Sequence, residues 1–109
     1  MIATVYALFA DRAEAERIGR AMIEEGLAAC VNILAPCTSI YRWEGRVEQA
    51  DEVPALFKTA QDSVEVLVSA IARLHSYEQP AITAWPVTLA GPGYAEWVVR
   101  AGRTDQDLR

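Results

Sequence analysis

Residues 2–9, Ile-Ala-Thr-Val-Tyr-Ala-Leu-Phe, are apolar on both alternating faces, the pattern of a strand inside a sheet. The period then changes. Asp11 is placed to cap a helix, with Glu14 three residues on as its capping-box partner. Ala15, Ile18 and Met22 mark one helical face, while Glu14, Glu16, Arg17 and Glu24 fall largely outside it. Gly26 supplies the stop, because glycine enters the left-handed region cheaply. Strand character returns over 27–34 and is interrupted at Pro36. From Ser39 the chain alternates, with Tyr41 and Trp43 on one face and Ile40 and Arg42 on the other. Glu44-Gly45 reads as a tight hairpin turn, and 46–48 begin the return strand. A further apolar segment, 53–59, contains Pro54, which lacks a ladder donor and predicts an edge or a bulge.

Asp62 and Glu65 repeat the capping arrangement ahead of a second helix, on which Val64, Leu67, Val68, Ile71 and Leu74 share a face. Residues 81–88 read as the last strand, with Pro86 at an edge or bend. Pro92 fits the first turn of a short terminal helix with Tyr94, Trp97 and Val98 on one face. The order β-α-β-β-α-β plus a short C-terminal helix predicts an α+β fold, the ferredoxin-like split βαβ sandwich with two helices on one face of an antiparallel sheet. Residues 1–102 form its single domain and 103–109 a polar tail. Two helices cover only one sheet face, yet Tyr41, Trp43 and Trp85 place bulky aromatics on strands. Large uncovered apolar patches mark interaction surfaces, so self-association is the economical expectation.

Composition supports a globular domain: 109 residues, 52% apolar, 23% charged. The net charge of −5, with one lysine and scattered arginines, argues against nucleic acid as a partner. No apolar run reaches the roughly 20 residues that cross a bilayer, so no membrane is expected. The N-terminus lacks the basic start and small-residue cleavage site of a secretory signal, which makes the cytoplasm the expected location. There Cys30 and Cys37 stay free thiols, and their spacing is not C-x-x-C. Cys30 reads as a buried small hydrophobe.

The candidate chemistry gathers around the only histidine, His75, in a helix-to-strand corner with Tyr77, Glu78 and Pro80. Imidazole is a common metal ligand, Glu78 is a hard oxygen donor, and Cys37 is a soft donor suited to copper. The alternative for His75 is a helix-end residue interacting with the terminal dipole. Lys58, on an apolar strand, either snorkels to solvent or pairs across a cleft between copies with Glu52, Glu78 or Glu48. Tyr41, Trp43, Tyr77, Trp85 and Trp97 read as packing and interface residues. No Ser-His-Asp or Cys-His arrangement can be placed, so an enzyme is not expected.

Four blocks, 27–33 (Leu-Ala-Ala-Cys-Val-Asn-Ile), 39–45 (Ser-Ile-Tyr-Arg-Trp-Glu-Gly), Lys58-Thr59 and 74–80 (Leu-His-Ser-Tyr-Glu-Gln-Pro), occur in an order and spacing that resemble the CutA family of divalent-cation tolerance proteins. The resemblance implies a ferredoxin-like subunit in a homotrimer joined by long hairpins, with Tyr41, Trp43 and Trp85 at the interface. It also implies a non-enzymatic link to tolerance of copper or another divalent cation, through His75, Glu78 and Cys37 at or near inter-subunit clefts. The trimer resembles that of the PII signalling proteins, which implies the alternative of a scaffold or sensor. That sensor would bind an anionic small-molecule ligand between subunits, in a cleft lined by Lys58, Tyr77 and Glu52. The chain departs from the family pattern at Ser76, Ala81 and Ala7, where members often carry Pro, Glu and a copper-ligating Cys.

Overall fold

The computed structural model describes residues 1–102; the tail expected at 103–109 lies outside the described residues. The elements run β1 (Ile2–Phe9), α1 (Arg12–Glu24), β2 (Cys30–Ile33), β3 (Cys37–Trp43), β4 (Arg46–Ala60), α2 (Val64–Leu74), β5 (Ile82–Pro86) and α3 (Tyr94–Ala101). All strand pairings are antiparallel, in the order β2-β4-β1-β5, and β3 pairs with the outer half of β4. This is the ferredoxin-like split βαβ sheet, with its second strand divided into β2 and β3.

The register decides which residues make the core. Val5, Ala7 and Phe9 of β1 lie beside Phe57, Ala55 and Val53 of β4, and all six are buried under α1 and α2. The expected α1 stripe is there: Ala15, Ile18 and Met22 are buried. The helix ends as Gly26 predicts, at φ 75°. The Gly26 N–H donates to the Ile23 carbonyl and Leu27 N–H to the Met22 carbonyl, the paired bonds of a Schellman stop. On α2, Leu67, Ala70 and Ile71 are buried, but Leu74 faces outward. The Asp62 cap does not form; a 3-10 turn, Gln61–Ser63, leads into the helix with no side-chain cap bond. Helix α3 begins at Tyr94 behind a left-handed Gly93, which leaves Pro92 in the preceding turn.

The two expected segments 46–48 and 53–59 prove to be one 15-residue strand, and Pro54 sits inside it, between partners on both sides. Three residues (34–36) separate β2 from β3, whereas their partners Ala55 and Glu52 enclose only two. The mismatch is a bulge on the neighbouring chain, where a missing donor on Pro54 leaves no acceptor stranded. Pro54 still uses its carbonyl, accepting from Leu34 N–H at 3.0 Å.

The second sheet face is only partly covered. Val98 of α3 packs with Ile2 and Ala29 at one end. Further along, Tyr6 and Trp85 meet at 6.2 Å between ring centres, and Trp85 remains exposed. The β3–β4 hairpin extends beyond this sheet. It turns through Glu44 (φ 51°) and Gly45 (φ 81°), a two-residue turn whose positive φ values match the strand twist. A β-branched residue at Gly45 is strained there, so Gly45→Val is expected to destabilise the fold by about 1–2 kcal/mol in urea unfolding.

Candidate ligand cleft at the base of the hairpin

His75 lies directly after α2, in extended backbone that turns the chain back toward β5. Its ring is buried and stacks on Phe9 at 5.1 Å with 13° between planes. Nε2 lies 2.8 Å from the Leu8 carbonyl, and Nδ1 lies 3.0 Å from the Tyr77 amide. A carbonyl only accepts and an amide N–H only donates, so this geometry assigns the neutral tautomer with the proton on Nε2. Both ring nitrogens are committed, and neither offers a lone pair to a metal in this conformation. The neutral ring likewise gives no charge to the helix dipole.

Glu14 is the partner that sequence reasoning places on the wrong side of its helix. Only 5% exposed, it accepts from Ala10 N–H at 3.0 Å with one oxygen and from Ser76 N–H at 2.8 Å with the other. Asp11 caps Glu14 N–H at 2.9 Å as expected, but Glu14 reaches one residue beyond the capping-box position. Its second oxygen is 3.9 Å from His75 Nδ1. Burial alone would raise the Glu14 pKa. The donors at Ala10 and Ser76 outweigh it and hold the carboxyl below its usual 4.5. Glu14 and His75 together pin the segment after α2 onto β1.

That pinned segment forms one wall of an open cleft of about 680 Å³. Tyr77, Glu78, Gln79 and Ala81 line it together with Ser39, Ile40, Tyr41 and Trp43 of β3, Glu52 of β4 and Leu8 of β1. Glu52 is buried, 8% exposed. Burial and the Glu52 carboxylate push the Tyr77 hydroxyl up to about 12, so the phenol stays protonated through the ordinary pH range. Of the expected cleft residues, the structure brings Tyr77 and Glu52 together with Tyr41, Trp43 and Glu78. Lys58 is elsewhere: its cross-strand neighbours are Cys30 and Thr4. Six residues of strand separate it from Glu52 on the same face, about 20 Å, so the two do not pair within one copy. Trp85 is on β5, beside Tyr6 and away from the cleft.

The expected metal donors are not assembled within one copy. His75 is engaged internally, Glu78 lines the cleft, and Cys37 begins β3 with its sulfur 3.9 Å from the Ser39 hydroxyl. Among the described residues no group of three or more His, Cys, Asp or Glu side chains is disposed to hold a metal ion. Cys30, expected to be buried, is half-buried, with its thiol 3.5 Å from the Tyr94 hydroxyl. No helix among the described residues is long and apolar enough to cross a membrane.

A ferredoxin-like subunit with a protruding hairpin and a cleft at the hairpin's base is the class of protein that this fold defines. Residues 3–101 match the family model described as CutA1 divalent ion tolerance protein. The chain is 40% identical to Protein CutA of Mus musculus over 84 residues, 77% of this chain and 48% of the mouse protein. It is 40% identical over 84 residues to the divalent-cation tolerance protein CutA of Thermus thermophilus, covering 77% and 82%. Among solved structures it is similar to the periplasmic divalent cation tolerance protein CutA of Archaeoglobus fulgidus, with a TM-score of 0.90 and 32% identity over 94% of this chain and 100% of that one. The chain belongs to the CutA1 divalent ion tolerance family. It spans about half the length of the curated animal and plant relatives it matches, and the Arabidopsis thaliana relative is named as chloroplastic.

Proposed function

We propose that this chain acts as a cytoplasmic homotrimer, linked to divalent-cation (copper) tolerance by binding at inter-subunit clefts rather than by catalysis. The observation that carries the reading is the hairpin. Ile40 (68% exposed) and Val47 (66% exposed) lie on one of its faces, while Tyr41 and Trp43 are exposed on the other. A two-stranded arm with apolar groups on both faces is marginal in water, and further copies of the chain would bury them. Because the described residues of one copy do not supply a metal site, the metal reading takes donors from more than one copy. Of the three expected donors, Cys37 and Glu78 remain, since His75 is spent on Leu8 and Tyr77. Two free thiols suit a reducing compartment.

Light scattering on a sizing column tests the assembly, with copper titrated into the same sample. The expected mass is three times the 12.0 kDa of the chain. Copper uptake should fall in a Cys37→Ser, Glu78→Gln double variant. A monomer would sink the trimer, and unchanged uptake in the double variant would remove the metal site. The cleft volume favours a second reading, a small-ligand sensor of the PII-like kind. An anionic ligand is disfavoured there, because the charged side chains lining the cleft are carboxylates, and Lys58 is not among them.

A further inference from the structure

We infer that His75 is a proton-operated latch: neutral, its Nδ1 holds the Tyr77 amide; protonated, it donates to Glu14 and releases the chain from Tyr77 onward. The first support is what else holds this stretch. Residues 76–80, between α2 and β5, make no backbone–backbone hydrogen bond among the described residues. Side chains hold them instead. Glu14 Oε2 accepts from the Ser76 amide at 2.8 Å, and His75 Nδ1 accepts from the Tyr77 amide at 3.0 Å. A stretch held in this way is free to move once one acceptor is withdrawn.

The second support is that the present partner and its replacement compete for one atom. Nδ1 accepts only while it carries no proton, whereas an imidazolium donates from both nitrogens. A proton there would set two donors against each other across the 3.0 Å bond to Tyr77, while the Glu14 carboxylate stands 3.9 Å from the same nitrogen. Closing that gap by about 1 Å makes a charge-assisted bond. Glu14 Oε2 has lone pairs for both His75 and Ser76, and Nε2–H stays on the Leu8 carbonyl in either form.

The third support is the charge around the ring. Glu14 of α1 faces it, and Tyr77 packs on it at 4.8 Å, with Glu52 of β4 and Tyr41 of β3 beyond Tyr77. Strand β1 presents the Leu8 carbonyl and the Phe9 ring, neither of which titrates. Strand β5 has no ionisable residue, and Arg73 in the last turn of α2 is exposed. The charged groups on the buried side are therefore carboxylates, which receive a positive charge. Within one copy the His75 side chain is 0% exposed and that of Glu14 5%, so assembly neither supplies the ring a partner nor removes one. Tyr77 is half-buried, and its freed amide can turn to water without opening the core.

Nuclear magnetic resonance of the full, copper-free, isotope-labelled chain tests this at its only histidine. The ring should carry its proton on Nε2 alone at about pH 8 and on both nitrogens toward about pH 5. Over the same range the protection of the Tyr77 amide, referred to the intrinsic exchange rate at each pH, should fall about tenfold. The Ser76 amide should keep its protection, which distinguishes a latch from melting of the whole segment. Glu14→Gln keeps an acceptor oxygen but not the charge, and should move the ring and Tyr77 transitions together to lower pH. Where that variant does not fold, the wild-type contrast between Ser76 and Tyr77 decides alone. A ring that stays neutral until the fold melts would overturn the inference, as would a charged ring with Tyr77 still protected. Loss of both amides together, or transitions unmoved in Glu14→Gln, would overturn it too.

Discussion

His75→Ala should lower the free energy of unfolding by about 3 kcal/mol. The loss combines two effects. Removing a buried ring stacked on Phe9 leaves a cavity, and truncation strands the Leu8 carbonyl and the Tyr77 amide. Urea unfolding of the purified variant measures the loss. His75→Asn discriminates further, because a shorter amide can recover one bond but not the stacking, and should recover only part of the stability. A metal-ligand role predicts the reverse emphasis: near-normal stability without copper, and a loss of uptake. Increased exposure of Tyr77 in the alanine variant is expected as well, since the ring holds the first residue of the cleft wall.

Glu14→Gln is expected to cost about 2 kcal/mol near neutral pH, because the amide turns a donor toward one of two buried N–H groups. The pH dependence identifies the group. Its folded pKa lies below the ordinary 4.5, so its contribution is complete above 4.5 and drains away as pH falls through the lower folded value. Urea midpoints for wild type and variant should therefore differ at about pH 7 and converge at strongly acidic pH. A gap of constant size down to low pH would show that the carboxylate's charge contributes nothing. The double variant with His75→Ala should be less destabilised than the two losses added, because both residues hold the same segment.

Period and punctuation made much of this fold legible. The α1 stripe, its Asp11 cap and its Gly26 stop each follow from residues within one helix length, and all three appear. The hairpin turn at Glu44-Gly45 is equally local. What the sequence hid is non-local. Pro54 argued for a break in β4, but the bulge that accommodates it lies on a different segment, 34–36. Glu14 looked solvated because glutamate on a helix usually is; its burial depends on the Ser76 amide, 62 residues away. His75 looked like a ligand because its acceptor is a backbone carbonyl 67 residues distant, and a carbonyl has no side-chain signature. Tyr77 and Glu52 were legible as neighbours only through the family resemblance. Within one copy Lys58 and Glu52 stand six residues apart along a strand whose continuity Pro54 disguised.

Strand β4 belongs to two structures at once: its inner half pairs with β1 and β2, its outer half with β3. At 15 residues it runs about 50 Å, comparable to the 51 Å longest extent of the molecule. An insertion of one residue near Glu52 would therefore be felt in both directions. If the arm kept its register, Val53, Ala55 and Phe57 would exchange with the outward set; if the core kept its register, the aromatic and aliphatic faces of the arm would swap. Changes in length at this point are excluded by the core and the arm together, so the chain is free to vary in length only where β4 does not pass.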